Sequence, residues 1–482
     1  MANAFKPQGT DVTILDNPNI INAAGVRRVP AIVAMGPSTI SVLDEPVVRG
    51  TGSTDLLKAS PNTVASITKV ANTPGVVGGL NYALISANGN LYQSGSASAN
   101  GSSVAWIGSG TDIPAAGSTY YISYTYGIGD TQFNPYEYSD KQTILDKYGA
   151  EDTATGMLSI AGSIVLENGS PSVILCQASG SSYSEAAYKT AIDKLQKKSN
   201  ISYVLAVFPS GSVTRAQQES LLTYLLSHTQ LMSSYKKERG FISGSPSAYT
   251  ASGGFDVIGD TSTNPSYVYR ANALRNRNNI YVAPSYCTRL DANGNTMLLD
   301  GNYIAAAIAG VFASRTKEST PINGFTVTGI NIADEKWNEV ELQQLGAGNC
   351  LAVISNAGVC SVYRSLTTDP TSADTQEPSV VDTQRLVKRT LRTVLDNTYT
   401  KQGKVITTNT TNDVVSTTIS ALQNLVNDGE IKAYGTTDNP LTGETKVSAM
   451  QDPTEPRRII VTCSYAPLYP LIWLSVTVNV FI

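Results

Sequence analysis

Residues 172–217, SVILCQASGSSYSEAAYKTAIDKLQKKSNISYVLAVFPSGSVTRAQ, decide the fold class. Residues 172–177 form an apolar run that predicts a strand. Ser184 can cap a helix reaching about Lys198, with Ala187, Tyr188, Ala191, Ile192 and Leu195 on one face. Residues 203–208 predict the next strand. Thr214 and Gln217 then have capping-box spacing, in which each side chain satisfies the other's free backbone N–H. They open a long helix predicted to end near Arg239-Gly240. Strand, helix, strand, helix is the rhythm of an α/β layer built on a parallel sheet.

The same rhythm continues downstream. A strand is predicted at 279–284, a small-residue helix at 303–312, and strands around 324–331 and 350–355. After a loop at 367–377, a helix over 380–399 places Val380, Val387, Leu391, Val394 and Leu395 inward, with Arg385, Lys388, Arg389 and Arg392 outward. A second helix, from about Asp413 to Asp428, is closed by Gly429 at the position where a left-handed residue ends a helix. Strands at 457–465 and 472–482 follow.

Upstream, residues 51–126 predict short strands at 63–70, 82–85, 90–93, 104–107 and 120–126, separated by turn sequences such as Ala87-Asn88-Gly89-Asn90. Tyrosines recur at period two in the last of them, on one sheet face. Residues 10–48 carry Asn-Pro, Val-Pro, Gly-Pro and Glu-Pro, which suit an extended arm or edge strand. The expected organisation is therefore α/β (α+β multidomain). It comprises an N-terminal arm with the first strands at 1–48, an inserted β-rich domain at 49–127, a central α/β domain at 128–366, and a C-terminal α/β domain at 367–482 ending in an extended arm.

Composition mainly excludes. The chain has 482 residues, 41% hydrophobic and only 15% charged, with 34 basic and 38 acidic side chains and a net charge of −4. Globular domains average about 25% charged residues. A near-neutral balance without a basic block argues against a nucleic-acid binder. The one histidine, His228, sits among Leu221, Leu222, Leu225, Leu231 and Met232 and reads as a helix-face residue with a structural role. A single histidine removes histidine acid–base schemes and multi-histidine metal sites. Five scattered cysteines, Cys176, Cys287, Cys350, Cys360 and Cys463, match no zinc spacing and suit a reducing compartment. Residues 1–16 lack the pattern of a signal peptide, and the apolar residues 471–482 are too few for a membrane helix, which needs ~20.

No phosphate-binding GxxxxGK[ST] loop or G-x-S-x-G elbow occurs. Asp291-Ala-Asn293-Gly-Asn295 has its glycine at the fourth position, so it reads as an Asx/Gly turn and not a calcium loop. The pairs Asp44-Glu45, Glu151-Asp152 and Asp334-Glu335 read as solvated surface acids. The basic face Arg385, Lys388, Arg389 and Arg392 is either solvated or a dock for an acidic partner. No catalytic, cofactor or metal residues are expected.

The distinctive feature is the terminal run 474–482. Leu474, Val476, Val478, Val480 and Ile482 alternate with polar residues up to Phe481, after the linker Ala466-Pro467-Leu468-Tyr469-Pro470. Period two predicts a strand, and an apolar strand with no partner invites aggregation. It either returns to its own domain or is donated to another copy, where its twelve residues reach on the order of 40 Å. The N-terminal arm, with Val12, Ile14 and Ile20, is a second candidate donor.

In order and spacing, the chain resembles the contractile tail sheath proteins of bacteriophages. The resemblance rests on Phe208-Pro209, the capped helix running to Glu238-Arg239-Gly240-Phe241, the small-residue helix 302–313 leading into Arg315-Thr316-Lys317-Glu318, Pro321-Ile322-Asn323-Gly324, and the segment 380–399. It implies a structural, non-enzymatic subunit of a virion tail, assembled in the host cytoplasm. Partners implied are other copies in stacked rings or a helical sheath, a tail tube protein, and baseplate and tail terminator proteins, with no nucleic acid, membrane insertion or cofactor. It also implies arms that add strands to neighbours' sheets; the missing phosphate-binding loop adds the expectation that contraction is released by a baseplate signal without nucleotide. The basic helix would then face the tube or another subunit. The competing expectation is a virion-associated carbohydrate-binding or carbohydrate-degrading protein whose Tyr-rich β-domain holds glycans.

Overall fold

A computed structural model describes residues 29–470 apart from 38, 59–62, 76–96, 108–112, 128–132, 154–155, 181, 210–212, 246–266, 285, 292–293, 334–336, 401 and 440–443. The strands predicted at 82–85, 90–93 and 472–482, the pair Asp334-Glu335, and the arm residues Val12, Ile14, Ile20, Leu474, Val476, Val478, Val480 and Ile482 lie outside the described residues.

The fold is mixed α/β, centred on a nine-stranded sheet. Six neighbouring strands are parallel, in the spatial order Leu351–Asn356, Asn279–Ala283, Gly240–Gly244, Ile201–Val207, Val29–Met35 and Val173–Ala178. Antiparallel strands finish each side: Val359–Arg364 and Thr326–Val327 at one edge, Tyr136–Tyr138 at the other. Parallel strands must be covered on both faces, which explains why the runs VILCQA and ISYVLAV carry almost no polar alternation. The helices Met157–Glu167 and Gly301–Ser314 pack on the sheet and on each other, as do Glu185–Lys194 and Arg215–Ser234.

The capping signals form as read. Ser184 accepts from the Ala187 N–H, and Thr214 and Gln217 make both bonds of their box. The helix they open stops at Ser234 and does not reach Gly240. Lys236 takes a left-handed φ of 63°, the Lys237 N–H closes onto Met232 O at 2.8 Å, and Gly240 already begins a strand.

Two stretches of the segment expected to hold the arm and the first strands lie in sheets. Val29–Met35 lies in the middle of the large sheet, and its Pro30 falls at the register shift between Val29 and Ala31, where a missing N–H costs no ladder bond. Thr39–Val48 pairs antiparallel with Thr119–Gly127, so the β-rich unit begins before residue 49. Its Pro46 is tolerated because that strand is an edge.

The described residues of the β-rich unit form two three-stranded sheets around one core. Tyr120, Ile122, Tyr124 and Tyr126, the period-two face, are buried in that core. Trp106 meets Tyr120 edge-on at 5.0 Å, and the buried Asp55 carboxylate accepts from Trp106 Nε1 at 2.8 Å and Tyr120 OH at 3.1 Å. These tyrosines are structural, with their polar tips satisfied: Tyr120 by Asp55 and Tyr124 by Glu45 within the unit, and Tyr126 by Asp146 O, at 3.2 Å, in the helix Lys141–Tyr148.

The C-terminal unit packs helix Pro378–Leu395, hereafter the seam helix, against Thr408–Asn427. The latter is capped by Thr407 and ended by Gly429 at φ 66°. Its described strands form only two-stranded pairs: Ala433–Tyr434 with Tyr465–Ala466, and Ser448–Gln451 with Ile459–Thr462.

The small residues of Gly301–Ser314 permit a close crossing with Met157–Glu167. A Cβ at Gly310 would stand 2.6 Å from Val165 O and 2.7 Å from Asn168 Cβ. Gly310→Ala is expected to destabilise by about 1–3 kcal/mol through overpacking, despite alanine's better helix propensity. Denaturant unfolding measures this, and an unchanged midpoint would show that the crossing can open.

Candidate assembly interface

Arg385, Arg389 and Arg392 stand at i, i+4 and i+7, so the 3.6 period puts them on one helix face. That face is turned inward, not to solvent. Arg385 and Arg392 are buried and Arg389 nearly so, and each meets a carboxylate. Arg385 Nη1 donates to Asp382 Oδ1 at 2.7 Å, Arg389 pairs with Glu318, and Arg392 pairs with Glu238. Lys388 is half-buried beside them. The exposed basic face expected from the sequence is therefore an intramolecular seam between the C-terminal unit and the central sheet domain. Helical periodicity reports that charges share a face but does not reveal what lies opposite.

Asp382 is the hub of the seam. Its Oδ2 accepts from Arg315 Nη2 at 2.6 Å, and the Tyr203 hydroxyl lies 2.9 Å from both carboxylate oxygens. Burial pushes the carboxyl pKa up, but Arg315 and Arg385 outweigh it and hold Asp382 below the usual carboxylate range. Glu430, from the far side of the C-terminal unit, accepts from the backbone N–H groups of Glu318 and Ser319 at 3.3 and 3.0 Å. At the N-terminus of the seam helix, Glu377 is buried and its pKa is pushed up to about 7 by burial, partly opposed by Arg364. Tyr469, in the proline-flanked linker, donates its hydroxyl to Asp374, which anchors the root of the C-terminal segment.

Glu151 is also not a surface acid. It shares Arg289 with Glu167: Arg289 Nε and Nη2 reach Glu151 at 3.1 and 2.9 Å, and Nη1 and Nη2 reach Glu167 at 2.7 and 2.8 Å. The remaining Arg289 N–H goes to Gly329 O at 2.7 Å, and Lys141 lies 3.0 Å from both carboxylates. This cluster lines a cavity of about 560 Å³. Two cations and two anions cancel and the guanidinium is saturated, so it clamps the hairpin Tyr286–Leu290/Thr296–Asp300 to the helical layer. That hairpin's turn is the Asx/Gly turn expected, with Asp291 accepting from Asn295 N at 2.7 Å.

Sequence reasoning missed Glu238, Glu318 and Asp382 as partners. The one local signal was Asp382-x-x-Arg385, an i,i+3 pair. His228 is buried in the helix Arg215–Ser234 with both ring nitrogens unpartnered, and burial, helped by Arg239, pushes its pKa down to about 3. The five cysteines are free, four of them buried. Among the described residues no cluster of three or more His, Cys, Asp or Glu side chains could hold a metal, and no helix is long and apolar enough to cross a membrane.

No family model matches the sequence. The tail sheath protein of Mycobacterium phage Bxz1 is 23% identical over 380 residues, covering 76% of this chain; the chain matches 59% of that relative's length. The helical sheath of the anti-feeding prophage in its contracted state superposes with a TM-score of 0.56 at 11% identity, over 98% of each chain. The sheath complex of an extracellular contractile injection system, also contracted, gives a TM-score of 0.50 at 12% identity, over 72% of this chain and 86% of that one. The chain is thus similar in sequence to a phage tail sheath protein, and its fold is that of contractile sheath proteins.

Proposed function

We propose that this chain is a structural subunit of a phage contractile tail sheath. It polymerises around a tail tube and contracts to drive the tube through the host envelope for genome delivery. The observation that carries this reading is the fold match to a contracted helical sheath over 98% of both chains. The same match favours it over a carbohydrate-active protein. The work is mechanical and not enzymatic, and the place of action is the virion tail after assembly in the host cytoplasm. Other copies, a tube protein, and baseplate and terminator proteins are the partners.

Strand exchange links the copies in this proposal. Val12, Ile14 and Ile20 in one arm and Leu474, Val476, Val478, Val480 and Ile482 in the other supply the strands. The C-terminal unit offers them a receiver: its described strands make only two-stranded pairs, which are marginal in water without a further strand or packing. A heterologous contact of this kind builds a helical polymer. Main-chain pairing also keeps copies joined while other contacts repack.

Negative-stain microscopy tests the proposal. The purified chain is expected to form tubes or rings, and the variant lacking residues 471–482 is expected to stay folded but lose them. Discrete particles from the full chain would sink the sheath reading. Tubes persisting after truncation would sink only the strand-donor assignment.

A further inference from the structure

The C-terminal linker is strapped to its own subunit. The Tyr469 hydroxyl donates to Asp374 Oδ1, and Asp374 belongs to the short helix Ala373–Gln376 at the junction between the central domain and the C-terminal unit. That junction is pinned to the central domain: Gln376 Nε2 donates to Asn349 Oδ1 at 2.6 Å, and the Thr368 N–H donates to Asn279 O at 2.9 Å. The strap itself is superficial. Leu468 and Tyr469 are 36% and 48% exposed, whereas the Asp374 beneath is only 5% exposed. Pro467 and Pro470 bracket the strap and favour an extended, stiff segment.

The contact is poised to open. Asp374 Oδ2 is buried without a hydrogen-bond partner. Burial pushes the Asp374 carboxyl pKa up, and the hydrogen bond from Tyr469 opposes it. A charge-assisted bond favours the closed strap, but keeping a lone carboxylate oxygen from water opposes it by an amount of the same order. Lifting Tyr469 lets water reach both oxygens and removes that penalty. It also lengthens the segment that follows. Held at Tyr469, its reach is counted from Pro470; released, it is counted from Pro467, next to the paired residue Ala466. Residues 467–469 then add about 10 Å at ~3.3 Å each.

We propose that the Tyr469–Asp374 contact is a latch that stows the root of the C-terminal segment on its own subunit and must open before that segment can join a second copy. The inference rests on the strand-donor reading above. The latch holds back association of free subunits, and the main-chain bonds gained at a neighbour's sheet edge replace the one given up.

Light scattering that follows polymer growth at one protein concentration is the test, with melting temperatures recorded alongside. Tyr469→Phe keeps the ring and loses the donor; it is expected to fold as wild type and to shorten the lag about tenfold. Asp374→Asn keeps the shape but makes the bond a weaker, neutral one, so its lag is expected to fall between the two. A Tyr469→Phe lag equal to or longer than that of wild type overturns the proposal. A second measurement needs no variant: carbodiimide-driven amidation of Asp374, read by peptide mass spectrometry, is expected to be several-fold faster in the polymer than in free subunits. A rate no faster in the polymer also overturns it. The variant lacking residues 471–482 separates the two readings. If it polymerises as well as the full chain, the strand-donor reading falls and the latch with it. If it does not, and Tyr469→Phe gains no speed, only the latch falls.

Discussion

Asp382→Ala is expected to lower stability by about 3–5 kcal/mol, the range for breaking a buried ion pair by deleting one partner. The loss exceeds one contact because a single carboxylate serves three groups. Without it, Arg315 and Arg385 remain buried as uncompensated cations, and the Tyr203 hydroxyl loses its acceptor. Asp382→Asn keeps the shape but loses the charge, so it is expected to fall between wild type and alanine. Adding Arg385→Leu to Asp382→Ala is expected to recover part of the loss, since one stranded cation is then removed. Denaturant midpoints of the four proteins give the comparison, and an Asp382→Ala midpoint equal to wild type would show that the seam does not hold the C-terminal unit.

The second large effect is a cancellation. Burial, helped by Arg239, pushes the His228 pKa down from the ordinary 6.5 to about 3. Between those values the unfolded chain binds a proton that the native chain refuses, so His228 makes stability fall as pH falls from 6.5 towards 3. The full excursion is about 5 kcal/mol at ~1.4 kcal/mol per pKa unit. Glu377 acts with the opposite sign. Its pKa rises from 4.5 to about 7, so the native chain keeps a proton the unfolded one has lost, and stability falls as pH rises through that window. The windows overlap between 4.5 and 6.5, where the wild-type chain is expected to be nearly flat in these two contributions. His228→Leu then exposes the Glu377 slope, with stability rising on acidification from 7 to 4.5. Glu377→Gln exposes the His228 slope, with stability falling from 6.5 downwards. Denaturant unfolding of both variants at pH 8, 6.5, 5.5 and 4.5 measures the two slopes, and parallel profiles for the two would refute the assignment.

Local signals in the sequence predicted local structure well. The α/β rhythm, the Thr214/Gln217 box, the period-two tyrosines and the Gly429 helix stop all depend on residues within a few positions of one another. Features set by distant residues were not legible. Arg392 meets Glu238 across 154 positions and Tyr203 meets Asp382 across 179, so the basic face looked solvated. The prolines over 10–48 pointed to an arm or edge strand, which Thr39–Val48 is, but they hid the central place of Val29–Met35, because tolerance of Pro30 depends on a register shift that only pairing creates. The resemblance segments did carry long-range information: Glu238, Arg315 and Glu318, all quoted for their order and spacing, prove to be seam residues.

The position of Val29–Met35 has a mechanical consequence. Tension entering through the residues before Val29 runs along a strand held on both sides, by Ile201–Val207 and by Val173–Ala178. Such a strand must be sheared out against both ladders at once. A pull from the other end arrives after Tyr465–Ala466, which among the described residues forms a two-stranded pair with Ala433–Tyr434 and can be peeled away a bond at a time. In a linked array of copies, the two ends of each subunit would therefore yield at different forces, the early end rigid and the late end compliant.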